Sequence, residues 1–440
     1  MQGVHRREFM LSMLGAAALG AQGQRSEAST PRILKTSTVG ANDRIRFAAI
    51  GTGGMGKGDM MTFLKFEDVD CVAVCDVDSG RMAEAAKMVE DARGQRPDEV
   101  KDFRRIIDRK DIDAVMVATP DHWHALPTIY ACQAGKDVYC EKPLATSIGE
   151  GRAMLNAARH NNRIVQMGTQ WRSSPTLAEA AAYVQSGKLG KIRQVRCFAF
   201  LTWIKSPGKT EDGAVPEGVD FDFWLGPAKK RPFNSGRFHF NFRWYWDYAG
   251  GLMTDWGVHL LNLALWAMKA PSPLRVDSVG GKYVWDDLTE TPDTQTAVYQ
   301  FPEFNLSWEH QATASGFGPE GREHGVVFYG TEAKLTLWGN GWKVEPKEGS
   351  SLEAEEHTTD EDSRAIHVRN FLDCMRSREL PVEDVEVGHF VSTVAHLGNL
   401  ALLSGESIEW DGKNERVRGN ATANHLITYP YRAPWRLPKG

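Results

Sequence analysis

Residues 45–64 read IRFAAIGTGGMGKGDMMTFL. A short apolar strand, Phe47–Ile50, runs straight into Gly51-Thr52-Gly53-Gly54-Met55-Gly56, and a helix-like segment follows. This junction constrains the fold more than any other feature of the chain. Gly51 permits the tight turn, Gly53 lets backbone approach a diphosphate, and Gly56 lets the helix pack closely on the strand. The start of such a helix collects unpaired N–H groups and the positive end of its dipole, which suits an anion. A second apolar run, VDCVAVCDVD, ends in Asp76, twenty residues beyond Gly56. A carboxylate there can accept both ribose hydroxyls and repels a 2′-phosphate. The expected cofactor is therefore NAD, with NADP disfavoured.

The alternation continues. Helical spacing appears over Asp102–Arg109, then the strand DAVMVATP (Asp113–Pro120), a helix over about 125–134 and the strand DVYC from Asp137. Strands alternating with helices predict a parallel, doubly wound sheet. Ligands bind beyond the carboxyl ends of such strands. Thr119, Pro120 and His124 in TPDHWH, and Glu141 and Lys142 in EKP, each follow a strand and are expected at the cofactor face. Lys142 is then a functional lysine rather than a solvated turn residue. His122 and His124 lack an obvious third ligand, so no metal is expected.

The chain has 440 residues, more than one core usually serves, which predicts two domains. A net charge of −5 offers no basic field for nucleic acid, and no apolar run is long enough to span a bilayer. The six cysteines include no CxxC pair and sit in apolar contexts, so they read as buried thiols. Near the start, Arg6 and Arg7 precede Phe9, an apolar stretch and small residues, the order of a twin-arginine signal. The expected organisation is a signal over 1–28, a linker over 29–43, a dinucleotide domain over 44–166 and a second domain over 167–440. The expected location is periplasmic or otherwise exported, with the Tat machinery as a partner during targeting.

Gly51–Gly56, Asp76, Thr119-Pro120 through His124, Glu141-Lys142-Pro143 and the segment GGLMTDWGVHLLN together resemble the Gfo/Idh/MocA oxidoreductase family, in a Tat-exported bacterial branch. The resemblance spans roughly residue 44 to the end. It implies an α/β protein: a Rossmann domain plus a C-terminal α/β domain on a large, mostly antiparallel sheet. It also implies a homodimer or homotetramer formed through that sheet. Strand-like runs at 192–201, 295–301, 304–312, 324–330 and 333–338 fit the second domain, as do two amphipathic helices over about 364–404. The acidic run 353–362 reads as a solvated loop.

Asp255, His259 and Asn262 are spaced i, i+4, i+7 and would share one stripe of a helix. With Lys142, the resemblance makes Asp255 and His259 catalytic. A sugar, polyol or glycoside hydroxyl would lose its proton to His259, with Asp255 orienting that imidazole and Lys142 holding the reacting oxygen. Lys142 stands as the alternative base. Gln170, Arg172, His239, Arg243, Trp246 and Asn262 are the expected substrate contacts. Asn262 stands where the family often has aspartate and cannot carry its charge. Two other readings use the same residues: a glycoside hydrolase or lyase working through transient oxidation of a sugar hydroxyl, and a non-catalytic protein that retains NAD.

Overall fold

The computed structural model describes residues 43–316 and 318–438. The export signal and nearly all of the linker expected before residue 44 lie outside the described residues.

The first sheet has six parallel strands, the glycine junction following the first of them: β1 (Ile45–Ile50), β2 (Val69–Cys75), β3 (Asp98–Val100), β4 (Ala114–Val117), β5 (Asp137–Cys140) and β6 (Val165–Met167). Their order in the sheet is β3-β2-β1-β4-β5-β6, so the switch point lies between β1 and β4. β4 and β5 are buried at every position, as strands covered on both faces must be. The glycine loop, Thr119 and Glu141 follow β1, β4 and β5 at the same edge, which is where that sheet geometry places a ligand.

The second sheet has ten strands: β7 (Gln194–Leu201), β8 (Arg275–Gly281), β9 (Thr294–Gln300), β10 (Asn305–Ala312), β11 (His324–Tyr329), β12 (Ala333–Trp338), β13 (Gly341–Pro346), β14 (Glu355–Thr358), β15 (Ile408–Asp411) and β16 (Arg416–Arg418). It is antiparallel except where β10 runs parallel to β7. β9 alternates buried and exposed residues along its length, the signature of a sheet with one face on the core and one in water. The helix Gly257–Ala267 and the helix Val385–Ser404 cover the core face, burying Leu260, Leu261, Val394 and Leu397. The acidic run read as a loop carries β14, which pairs with β13 at the sheet edge and keeps its charges exposed.

Two late segments of the chain pack back against the first domain. The helix Ser363–Ser377 returns to the first domain, where Val368, Phe371 and Leu372 join Phe47, Phe63 and Tyr139 in one core. Arg369 is bound to Asp68 through both carboxylate oxygens at 2.9 Å. Further on, Trp435 packs on Trp123 with ring centroids 4.9 Å apart. The cause is apolar surface on the Rossmann domain that these late segments help to cover. All six cysteines are buried and unpaired. Among the described residues, no helix is long and apolar enough to cross a membrane.

Candidate active site

The glycine loop is built for a close ligand. Gly51 has φ +85°, and a Cβ there would fall 2.6 Å from the backbone of Ala118. A Cβ at Gly56 would fall 2.0 Å from the carbonyl oxygen of Gly51, so the helix Gly54–Phe63 can approach β1 only without one. Above Gly54 the space is open. The Asp76 carboxylate accepts the Thr52 N–H at 2.8 Å and the Asp78 N–H at 3.0 Å, which fixes it at the end of β2. Arg81 arches over the loop, with Nη1 2.3 Å from where a Gly53 Cβ would stand. The Thr119 hydroxyl is buried without a hydrogen-bond partner. An open cradle, a fixed carboxylate and an orphaned hydroxyl along one groove fit a dinucleotide.

This groove opens into a cavity of about 560 Å³ between the two domains. At its centre Lys142 Nζ lies 2.5 Å from Asp255 Oδ1 and donates to the Asp255 carbonyl at 3.1 Å. Arg243 Nε approaches the other carboxylate oxygen at 3.4 Å. Burial pushes the Asp255 carboxyl up, but Lys142 and Arg243 outweigh it and hold the group well below the usual carboxylate range. His259 faces the same centre, and its Nδ1 is buried without a partner. Burial, then the neighbouring Lys142 charge, pushes the imidazole down to about 3, so it is neutral at physiological pH.

Two expectations change here. Asp255 and His259 do not share one continuous helix: Gly251–Asp255 and Gly257–Ala267 are separate helices broken at Trp256. The break turns the Asp255 carboxylate toward Lys142 and Arg243, and no hydrogen bond joins it to His259. Asp255 therefore positions Lys142 rather than the imidazole.

Behind Lys142, the fully buried Asp59 faces Glu141. Both of its oxygens, and Oε1 of Glu141, lack donors. Burial, then Glu141, pushes Asp59 well up, and burial likewise raises Glu141. Both shifts favour the neutral acid over the carboxylate. Lys142 follows directly in the chain, and Arg364 Nε stands 3.7 Å from Asp59.

Gly51, Gly53, Gly54, Met55, Asp76, Thr119, Pro120, His124, Glu141, Gln170, His239 and Arg243 also line the groove or cavity. His239 lies at the far end, where Nε2 hydrogen-bonds Asp78 Oδ2 at 3.0 Å. There the segment around Gly218 and Asp220 also clasps β2 and the next helix, through Ser79 N–H to the Gly218 carbonyl at 3.0 Å and Asp220 N–H to the Val77 carbonyl at 2.9 Å. The second domain thus closes over the nucleotide end, and His239 faces that end rather than the substrate.

Arg172, Asn262 and Trp246 do not reach the cavity. Arg172 Nη1 donates to Asn262 Oδ1 at 2.8 Å, and Asn262 Nδ2 donates to Glu383 at 2.8 Å. This buried network ties three distant segments together, and Asn262 spends its amide on it. Trp246 lines a separate crevice with His396 and Tyr429. The cavity instead gains Arg81, Trp171, Trp203, Trp256 and Arg364. Arg364 lies 309 residues from Met55 of the glycine loop, so no local pattern could have marked it. Trp256 was within reach, since it interrupts the D-x-x-x-H segment itself.

A Rossmann sheet whose strand ends face an open-sheet domain across a lysine, an aspartate and a histidine defines a two-domain dinucleotide-binding fold. Two family models match the chain: the Gfo/Idh/MocA oxidoreductase family, NAD-binding Rossmann fold, over 45–169, and the C-terminal alpha/beta domain of the same family over 182–301 and 352–437. The chain belongs to the Gfo/Idh/MocA family. It is similar to levoglucosan dehydrogenase of Pseudarthrobacter phenanthrenivorans, 39% identical over 106 residues, which are 24% of this chain and 27% of that protein. It is also similar to glycosyl hydrolase family 109 protein 2 of Shewanella sp., 31% identical over 180 residues, 38% of this chain and 40% of that protein. These matches span well under half of either relative. A solved structure of levoglucosan dehydrogenase in complex with NADH and L-sorbose has the same fold, with a TM-score of 0.67 at 18% identity, over 83% of this chain and 99% of that one.

Proposed function

We propose that the protein is an NAD-dependent oxidoreductase acting on a hydroxyl of a sugar, polyol or glycoside. The observation that carries this reading is one cavity holding a neutral, unpartnered imidazole, a lysine fixed by a buried aspartate, and an open glycine cradle. NAD, when bound, supplies the acceptor for the hydride that leaves the substrate carbon. Gly51, Gly53, Gly54, Asp76 and Thr119 would hold it. Asp76 favours NAD over NADP, because a 2′-phosphate would meet its carboxylate.

His259 is the base in this reading: Nδ1 is buried, so the hydroxyl proton goes to Nε2 of the neutral imidazole. Lys142 commits N–H groups to the Asp255 carboxylate and carbonyl, and a third remains for the substrate oxygen. That hydrogen bond stabilises the oxygen as its proton departs and polarises the carbonyl as it forms.

Transient oxidation followed by aglycone loss is a second reading, supported by the similarity to a family 109 glycosyl hydrolase. Export through the twin-arginine route belongs to our reading and is supported by Arg6-Arg7 and the apolar stretch behind them. A homodimer or homotetramer also belongs to it. Its support is the water-facing side of the ten-stranded sheet, where Val279 and Val298 stand exposed. Purified protein, denatured without added cofactor, should release stoichiometric NAD by mass spectrometry. No nucleotide, together with no binding on titration, would sink the proposal. A glycoside screen separates the two chemistries: ketosugar or lactone alone marks net oxidation, and free aglycone marks cleavage.

A further inference from the structure

One wall of the cavity is aromatic from the reacting groups out to solvent. Trp171 lies 5.0 Å from His259 between ring centroids, Trp256 lies 6.3 Å from Trp171, and Trp203 lies 6.4 Å from Trp256. His324 packs at 5.0 Å on Trp256 and stacks at 5.4 Å on Trp171, holding both indoles in place. Trp203, just beyond β7, is 50% exposed. Among the exposed large apolar side chains of the described residues, it and Phe240 are the two that line the cavity.

The distribution of charge separates this wall from the rest of the site. Asp76, Arg81 and Lys101 belong to the nucleotide end, while Lys142, Arg243 and Asp255 surround the reacting centre. The lining residues of the wall itself, Trp171, Trp256 and Trp203, are uncharged; Arg364 stands apart at Met55 and Asp59, and Glu323, outside the lining, accepts the Thr202 hydroxyl at 2.5 Å. A half-exposed indole at the mouth of a cavity leaves apolar surface in water that a ligand would cover. A flat aromatic face accepts the C–H face of a sugar or an aryl ring, and offers nothing to a phosphate.

We infer that Trp203 and Trp256 form a subsite for an uncharged ring attached to the oxidised sugar. The preferred substrate is then a glycoside carrying a cyclic aglycone, rather than a free monosaccharide or a nucleotide sugar. This inference rests on the oxidoreductase reading above.

The test uses the NAD-loaded protein and a matched set of glycones, each as free sugar, methyl glycoside, phenyl glycoside and disaccharide, with UDP-glucose as the charged control. Reduction of bound cofactor is followed by NADH fluorescence. The ring-bearing glycosides should exceed the methyl glycoside in kcat/KM by about tenfold, and Trp203→Ala should erase that ratio while Trp203→Phe keeps part of it. The phenyl and disaccharide arms show which ring the subsite takes. Equal kcat/KM across the series, or a ratio that survives Trp203→Ala, overturns the inference. If no glycone reduces the cofactor, the oxidoreductase reading fails on its own. Titration of phenyl glycosides by quenching of tryptophan fluorescence then still decides the subsite: binding weakened about tenfold by Trp203→Ala supports it, and unchanged or absent binding overturns it.

Discussion

Asp255→Asn removes one charge from the centre of the site and changes little else in shape. The side chains of Lys142 and Asp255 are 10% and 12% exposed, and that of Arg243 is 16% exposed, so the three charges are almost wholly withdrawn from water. Unit charges about 4 Å apart interact by about 4 kcal/mol at the effective dielectric of such a site, and stranding one partner of a buried pair costs about 3–5 kcal/mol. Spread over about 400 residues at roughly 2 cal/mol/K each, that loss lowers Tm by about 4–6 °C. Thermal unfolding followed by circular dichroism, in the absence of cofactor, measures it directly. The shift should persist in 0.5 M salt, because buried pairs are screened little. Asp286→Asn, which breaks the solvated Lys209–Asp286 pair at 2.7 Å, should leave Tm unchanged. Adding Lys142→Met to Asp255→Asn should recover part of the loss, since the penalty belongs to the stranded charge. A Tm drop below about 1 °C for Asp255→Asn would refute the argument that these charges are desolvated and mutually held.

Three further outcomes follow from the site. His259→Ala and Lys142→Ala should each lower turnover by about 10²–10⁴-fold, the range for a lost acid–base group, while NAD stays bound; unchanged turnover in either variant removes that residue from the mechanism. His239→Ala should loosen the clasp on Asp78, so that NAD leaves at least several-fold faster in a stopped-flow dilution, and an unaltered rate would assign the contact a structural role only. His367 is buried between the Met167 carbonyl at 2.8 Å and the Ser173 hydroxyl at 2.7 Å, and burial pushes it down to about 4. The unfolded chain binds a proton there between about pH 6.5 and 4 and the native one does not, so stability falls with falling pH across that window by up to about 1.4 kcal/mol per pH unit. His367→Gln should flatten that slope in denaturant titrations from pH 7.5 to 4.5, and parallel curves would show that His367 does not supply it.

The glycine junction, Asp76 and the alternation of strands and helices were legible because each is a local backbone requirement. Gly51 must take φ +85° and Gly56 must lie against a carbonyl oxygen, and no other residue type satisfies either. The strands read at 295–301, 304–312 and 333–338 appear as β9, β10 and β12, because period-two burial is written in the side chains themselves. The short strands β3, β14 and β16 escaped notice, since pairing with a neighbouring strand defines them more than their own composition does.

The sequence by itself determined which candidate residues to look for, and the cradle, Lys142, Asp255 and His259 do converge in one cavity. Only the tertiary structure decided how they are wired. A one-residue break at Trp256 hands Asp255 to Lys142 and leaves His259 unpaired. Packing draws Arg172 and Asn262 into a buried network and sends His239 to the nucleotide end, while the late helix Ser363–Ser377 returns to deliver Arg364 beside Met55, 309 residues away. Spacing along a chain fixes which side chains share one turn. Which distant side chains meet depends on what apolar surface each element must cover, and that is a property of the whole assembled core.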